Sequence, residues 1–290
     1  MTHHHCHTHH YKATQLNRLL WVFILTALYM VLEFIGGWIS GSMALLADAA
    51  HMLGDSASLG LALMAVWIAI KRPPSDRRTF GYDRTEVLAA LANGLILIVL
   101  ACVIFKEALE RFASPEPIQA GLMLWVAAGG LVVNIIAAFI LHNHQQHSLN
   151  MRGAYLHVLS DMLGSISAMV AGVLIMLFGW LWVDPLVGTV VALLVLSNAL
   201  RLVKDALDVL MESAPDQIQI PEIENTLLGM PDVKTVHNLH VWSVNTGKVV
   251  LTAHLVVVPG AYTAEMLSKT QRLLKETFGL SHVTLQLEEG

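Results

Sequence analysis

Charge is what this chain has least of: 13% of its 290 residues are Asp, Glu, Lys or Arg, against 55% hydrophobic. A soluble chain needs more charge than that to cover its surface, so the composition points to a membrane class. Cysteine is nearly missing too. Cys6 sits in a His-rich tail and Cys102 in an apolar run, which excludes a disulfide framework. The formal net charge of −5 is mild and gives no reason to expect nucleic acid as a partner. Polar histidines stand where a signal peptide would carry its short apolar core, so cleavage is not expected. No phosphate-binding loop motif occurs either, which removes nucleotide hydrolysis as a source of energy.

What the chain does have is long apolar runs. Six of them, 19–39, 43–70, 87–109, 118–141, 154–177 and 185–210, approach or exceed the ~20 residues that cross a ~30 Å hydrocarbon core. Loop charge sets their direction. Lys71, Arg72, Arg77, Arg78 and Arg84 lie between the second and third runs, Lys12 and Arg18 precede the first, and Arg152 follows the fourth. The turns after the first and fifth runs hold no Lys or Arg, with Arg111 near the third turn as the exception. The positive-inside rule then puts both termini in the cytoplasm.

From Pro215 the texture becomes that of a small soluble domain. Period and turn signals predict a helix over 218–228, strands over 233–244 and 249–258 joined at Asn245-Thr246-Gly247, a helix over 264–278 and a strand over 282–288. The expected fold is therefore an α-helical membrane protein, a six-transmembrane-helix bundle followed by a small α+β domain of order αββαβ. Its parts are a flexible His-rich tail at 1–16, a membrane domain at 17–213 and a cytoplasmic domain at 214–290. A domain that small gains from oligomerisation.

Ionisable residues inside the apolar runs are the informative exception. Asp48, His51 and Asp55 lie in the second run, and His157 and Asp161 in the fifth. Residues four apart share a helix face, so His51/Asp55 and His157/Asp161 are two copies of one pair, with Asp48 near the same stripe. Charged groups at membrane depth cost several kcal/mol unless paired, so they face the bundle interior and mark ion or substrate paths. Two imidazoles and two carboxylates make a four-ligand set suited to tetrahedral zinc, and the lack of thiolate argues against Cu(I). Glu33, Asn93, Asn134 and Asn198 either line such a path or hydrogen-bond between helices.

These residues sit in stretches that resemble the cation diffusion facilitator family, of the zinc and cobalt-zinc-cadmium resistance type. The matching stretches are LADAAHMLGDSASLGLALMAVW around His51, Thr79-Phe80-Gly81 leading into EVLAALANG, and LHVLSDMLGSI around His157. HNLHVWSV at 237–244 and HVTLQLE at 282–288 complete the set. The resemblance runs from about Leu19 to Glu288. It implies a homodimeric, proton-coupled exporter with a ferredoxin-like, metallochaperone-like cytoplasmic domain. It implies that His51, Asp55, His157 and Asp161 form the transport site and that His51 favours zinc. It further implies metal ligands among His237, His254, His282 and Glu288, with Gln286 in place of one ligand of some relatives. Arg84 and Glu212 would form an interlock at the dimer. Some bacterial members bind a second metal in the loop after the second span; Arg78 and Tyr82 stand where those carry histidines, so no loop site is expected here.

The remaining histidines form two clusters without the spacing of a structural site. His3, His4, His5, Cys6, His7, His9 and His10 read as a metal-collecting arm. His142, His144 and His147 follow the fourth run on the cytoplasmic side, placed to hand metal inward. The expected function is zinc/proton antiport out of the cytoplasm of a bacterium across its inner membrane. Zinc is the substrate and a regulatory ligand, protons and membrane lipid are the other partners, and no organic cofactor is expected. The alternatives are a membrane zinc enzyme, a metal sensor, and an exporter that also takes cadmium or cobalt. Four protein ligands disfavour the enzyme, because a catalytic zinc keeps a position open.

Overall fold

The computed structural model describes residues 5–72, 74–142, 149–245, 247–261, 263–280 and 282–290, with the side chains of 5–19, 58, 59, 62, 63, 65, 66, 69, 70 and 149–153 set aside. Six long helices come first: α1 His5–Ser40, α2 Met43–Lys71, α3 Thr85–Ala113, α4 Ala120–His142, α5 Leu149–Phe178 and α6 Val183–Leu210. Then follow α7 Ile220–Leu228, β1 Val233–Asn245, β2 Lys248–Val257, α8 Ala264–Phe278 and β3 His282–Glu289. Among the described residues, five of the long helices are apolar enough to cross a membrane, with mean hydropathies from 1.9 to 2.8. The remaining one, α2, carries Asp48, His51 and Asp55.

The start of α1 differs from expectation. Where a flexible arm was expected over 1–16, the chain is already helical from His5, while His3 and His4 lie outside the described residues. Once the apolar part of α1 has nucleated, each added residue gains a backbone bond without a new nucleation cost. No Gly or Pro between His5 and Ile35 stops that propagation.

The chain divides into two compact units, residues 1–60 with 93–200 and residues 61–92 with 201–290. In the first unit the usual burial pattern is inverted. Leu32, Ile96, Phe139 and Leu163 are exposed, whereas Glu33, Asp48, Asn134 and Asp161 are buried. Such a surface is compatible with lipid and not with water. The helices approach through small residues, as in Ala44, Ala127, Ala168 and Ala171 of one buried cluster. At Gly188 of α6, a Cβ would lie 2.9 Å from the backbone of Met43 on α2, so only glycine admits that approach.

The second unit holds a three-stranded sheet in the order β1-β2-β3, with β1 antiparallel and β2 parallel to β3. The turn uses Asn245, whose Oδ1 accepts from the Gly247 N–H at 3.1 Å; Thr246 lies outside the described residues. Thr263 caps α8 by accepting the Met266 N–H at 3.1 Å, and Gly279 ends it in the left-handed region at φ 65°. Ile223 and Leu227 of α7 and Leu274 of α8 pack on Leu251, Leu255 and Leu285 of the sheet. This unit reaches back before residue 214, the expected domain limit, because Asp83 bonds Lys248 and Arg84 bonds Glu212, each at 2.9 Å.

Candidate metal centre

Helix α2 presents His51 and Asp55 on one face and α5 presents His157 and Asp161, each pair four residues and one turn apart. The two faces meet. His157 Nε2 lies 3.4 Å from Asp55 Oδ2 and 3.6 Å from Asp161 Oδ2, and His51 Nε2 lies 3.7 Å from Asp55 Oδ2. The two imidazoles are edge-on with centroids 6.0 Å apart. Ligand atoms of His51, His157 and Asp161 all fall within 4.8 Å of one another.

Elementary geometry says what this spacing suits. The edge of a tetrahedron is about 1.63 times its centre-to-corner distance, so zinc bonds of about 2.0–2.1 Å put ligand atoms about 3.3–3.4 Å apart. The three separations fall on or just above that edge. Burial is graded across the cluster: the Asp161 side chain is 1% exposed, but those of His157 and Asp55 are 42% and 45%. The centre is therefore walled at Asp161 and open at Asp55.

Asp48 is not among the ligand atoms. It is buried beside Gly164, where a Cβ would lie 2.6 Å from its Oδ1. Of the other polar residues, Asn93 Nδ2 donates to the Gly54 carbonyl at 3.4 Å, Asn134 is buried and Asn198 is exposed.

A residue with no part in the sequence reading holds α2 in place. Asp184 at the start of α6 is fully buried. Its Oδ1 accepts from Ser42 Oγ at 2.5 Å and the Ala44 N–H at 3.2 Å, and its Oδ2 accepts the Met43 N–H at 2.6 Å. It thus caps the N-terminus of the helix that carries His51. An acidic residue at the first turn of an apolar helix was the available signal.

A second group of donors lies on the sheet. His237 on β1 pairs with His254 on β2, and their rings are 5.0 Å apart. Glu288 on β3 bridges them, with Oε2 at 3.0 Å from His237 Nε2 and Oε1 at 2.7 Å from His254 Nδ1. Gln286 Nε2 also donates to Glu288 Oε1 at 2.9 Å. The bonds to His237 and His254 hold the Glu288 carboxyl below its ordinary pKa. Two nitrogens and a carboxylate fit a zinc ion.

His282, expected with this group, is elsewhere. It opens β3 opposite Val250, and its ring meets Phe80 edge-on at 6.3 Å. Six residues at about 3.3 Å each separate it from Glu288 along the strand. Arg84 Nη2 meets Glu212 Oε1 at 2.9 Å within the one chain. In the loop after α2, the Arg78 guanidinium lies 4.4 Å over the Tyr82 ring and that of Arg72 lies 5.5 Å away. Arg72, by hydrogen bonding, and then Arg78 hold the Tyr82 hydroxyl below its ordinary pKa. Near the end of α4, the His142 ring lies 5.8 Å from that of Tyr155; His144 and His147 lie outside the described residues.

The family model for the cation efflux transmembrane domain matches residues 19–211, and that for the cation efflux protein cytoplasmic domain matches residues 215–290. A zinc transporter, ZitB of Escherichia coli, is 42% identical across 99% of this chain and 93% of its own length. A cadmium, cobalt and zinc/H(+)-K(+) antiporter of Bacillus subtilis is 43% identical across 93% of this chain and 88% of its own. A metal cation efflux system protein, CzcD of Cupriavidus metallidurans, is 40% identical across 97% of this chain and 89% of its own.

Proposed function

This chain belongs to the cation efflux family, a family of transporters rather than enzymes, and we propose that it exports zinc from the cytoplasm in exchange for protons. One observation carries the proposal: imidazole and carboxylate atoms from α2 and α5 meet at 3.4, 3.6 and 3.7 Å, close to the edge of a zinc tetrahedron. His51, Asp55, His157 and Asp161 are the transport site. Zinc takes neutral imidazole and ionised carboxylate, so loading from the cytoplasm expels whatever protons the four held. With the site turned outward, protons arriving there displace the metal and are carried inward. The exchange needs alternating access and no covalent step.

The membrane domain is 17–213 and the cytoplasmic domain 214–290, in the inner membrane of a bacterium with both termini inside. The working form is a homodimer, with Arg84 and Glu212 at its interlock. His237, His254 and Glu288 hold a regulatory zinc, whose charge joins three strands at one point of the sheet. The histidines of the tail and those after α4 gather metal for the site.

Zinc uptake into inside-out vesicles is expected to follow an imposed proton gradient and to fail in Asp161→Ala. Undiminished uptake in that variant sinks the site assignment, and uptake indifferent to the gradient sinks the antiport. The names of the Bacillus and Cupriavidus relatives favour a second reading, export of cadmium and cobalt as well. Competition flux with zinc, cadmium and cobalt separates the two.

A further inference from the structure

Behind the transport site lies a second set of buried polar groups that the zinc ligands do not use. Glu33 of α1 is fully buried and Asp48 of α2 nearly so. Neither oxygen of Glu33 has a hydrogen-bond donor among the described residues. What lies within its hydrogen-bonding reach is another acceptor, the carboxyl of Asp48. Two carboxyl oxygens make a hydrogen bond only when a proton lies between them.

The surroundings are built to keep the pair there. Gly164 on α5 leaves the space that the Asp48 carboxyl fills, since a Cβ would sit 2.6 Å from Oδ1 and 2.9 Å from Oδ2. Gly130 on α4 does the same for Tyr29 and Ser165, whose oxygens would lie 2.8 and 2.9 Å from its Cβ. Tyr29 donates its hydroxyl proton to the Val126 carbonyl at 2.5 Å, which leaves it none for Glu33. Of the other titratable groups on α2, α4 and α5, His51, Asp55, His157 and Asp161 make up the transport set, Lys71 ends α2, Arg152 lies near the start of α5, and His142 ends α4 beside Tyr155 of α5; the buried Asn134 of α4 does not titrate. On its other side α2 meets Ile104 and Ala108 of α3 and Ala192 of α6, which are apolar. No Lys or Arg reaches either carboxyl among the described residues. A pair of bare carboxylates at that depth would cost far more than the fold has to spend.

We propose that Glu33 and Asp48 form a proton-binding site that holds one proton between two carboxyls, and that this proton leaves when a divalent cation fills the His51/Asp55/His157/Asp161 set. Asp48 precedes His51 by less than one helical turn, so cation charge in the transport site takes over the balancing role of the proton. The metal ligands and the proton carrier are then partly different residues. This rests on the antiport reading above.

The test counts protons released on adding zinc to the purified full chain in weak buffer with a pH-indicating dye. Subtracting the release by Asp161→Ala removes the contributions of the tail and the sheet. Glu33→Gln is expected to bind zinc at the membrane site and to release about one proton fewer per zinc. An unchanged count overturns the proposal while leaving antiport standing; a parent chain that moves zinc without moving protons overturns the antiport reading itself. Infrared difference spectra of the parent chain guard against a variant that fails to fold. A protonated-carboxyl band is expected to vanish on zinc addition and to be missing from Asp48→Asn, and a parent spectrum without that loss overturns the proposal. If potassium at fixed pH abolishes the same band, the occupant is a monovalent cation and the proton assignment falls.

Discussion

Single residues decide how well the proposed transport site is held. Asp184 receives three donors at the α1–α2 turn, two of them backbone N–H groups of the helix that carries His51. A buried donor left without a partner costs about 1–3 kcal/mol. Asp184→Ala is therefore expected to lower the melting temperature of the detergent-solubilised protein by several degrees and to reduce zinc flux. Asp184→Asn, which keeps one acceptor oxygen, should fall between the two. Glu288 supports a prediction of a different kind. Its folded-state pKa is lowered by His237 and His254, so the stabilisation from those bonds is present above the ordinary carboxylate pKa of ~4.3 and is lost as pH falls through the lowered value. In full chain carrying Asp161→Ala, Glu288→Gln is expected to weaken zinc binding and so, at fixed zinc, to move its release on acidification to a higher pH; affinity and midpoint both unchanged contradict the ligand role of Glu288.

Helix against helix, the controlling quantity is distance. Gly188 brings α6 onto the backbone of α2 at Met43, two turns before His51. A methyl group there meets backbone atoms that cannot rotate away, so Gly188→Ala is expected to cost about 1–3 kcal/mol. Zinc affinity should fall with it, measured by titration of the folded fraction, because the α2 ligands move relative to those of α5. Much of this architecture is legible in the sequence. Apolar run length gives the six long helices, and a spacing of four gives the two His-Asp faces, because helical period is a local property. The contacts of Asp184 are not local: nothing in the spacing of Ser42 and Asp184 reveals that they bond. His282 marks a different limit. It shares strand parity with Gln286 and Glu288, and period two fixes the face of a strand without fixing position along it. The register that sets His282 opposite Val250 and Glu288 opposite Val256 comes only from the folded sheet. The tail departs for a third reason, since propagation from α1 outweighs its polar composition.

For the whole molecule, the proposed orientation in the membrane rests on where charge is scarce. The end of α2 and the loop after it carry Lys71, Arg72, Arg77 and Arg78, whereas the turns after α1 and α5 carry none. Basic loops stay on the cytoplasmic side. The two cysteines supply a direct test without new labels. Cys102 is exposed on α3, in the lipid-facing company of Val99 and Val103. A charged, membrane-impermeant reagent does not enter hydrocarbon, so a thiol there is out of its reach. Cys6 lies in the polar segment before the first apolar run. A membrane-impermeant maleimide is therefore expected to label the chain in inside-out vesicles and to leave it unlabelled in right-side-out ones. Cys6→Ser should abolish the labelling and Cys102→Ser should not change it. Labelling from the outside would reverse the proposed topology, and with it the proposed direction of zinc movement, because the basic loop would then stand on the far side of the membrane.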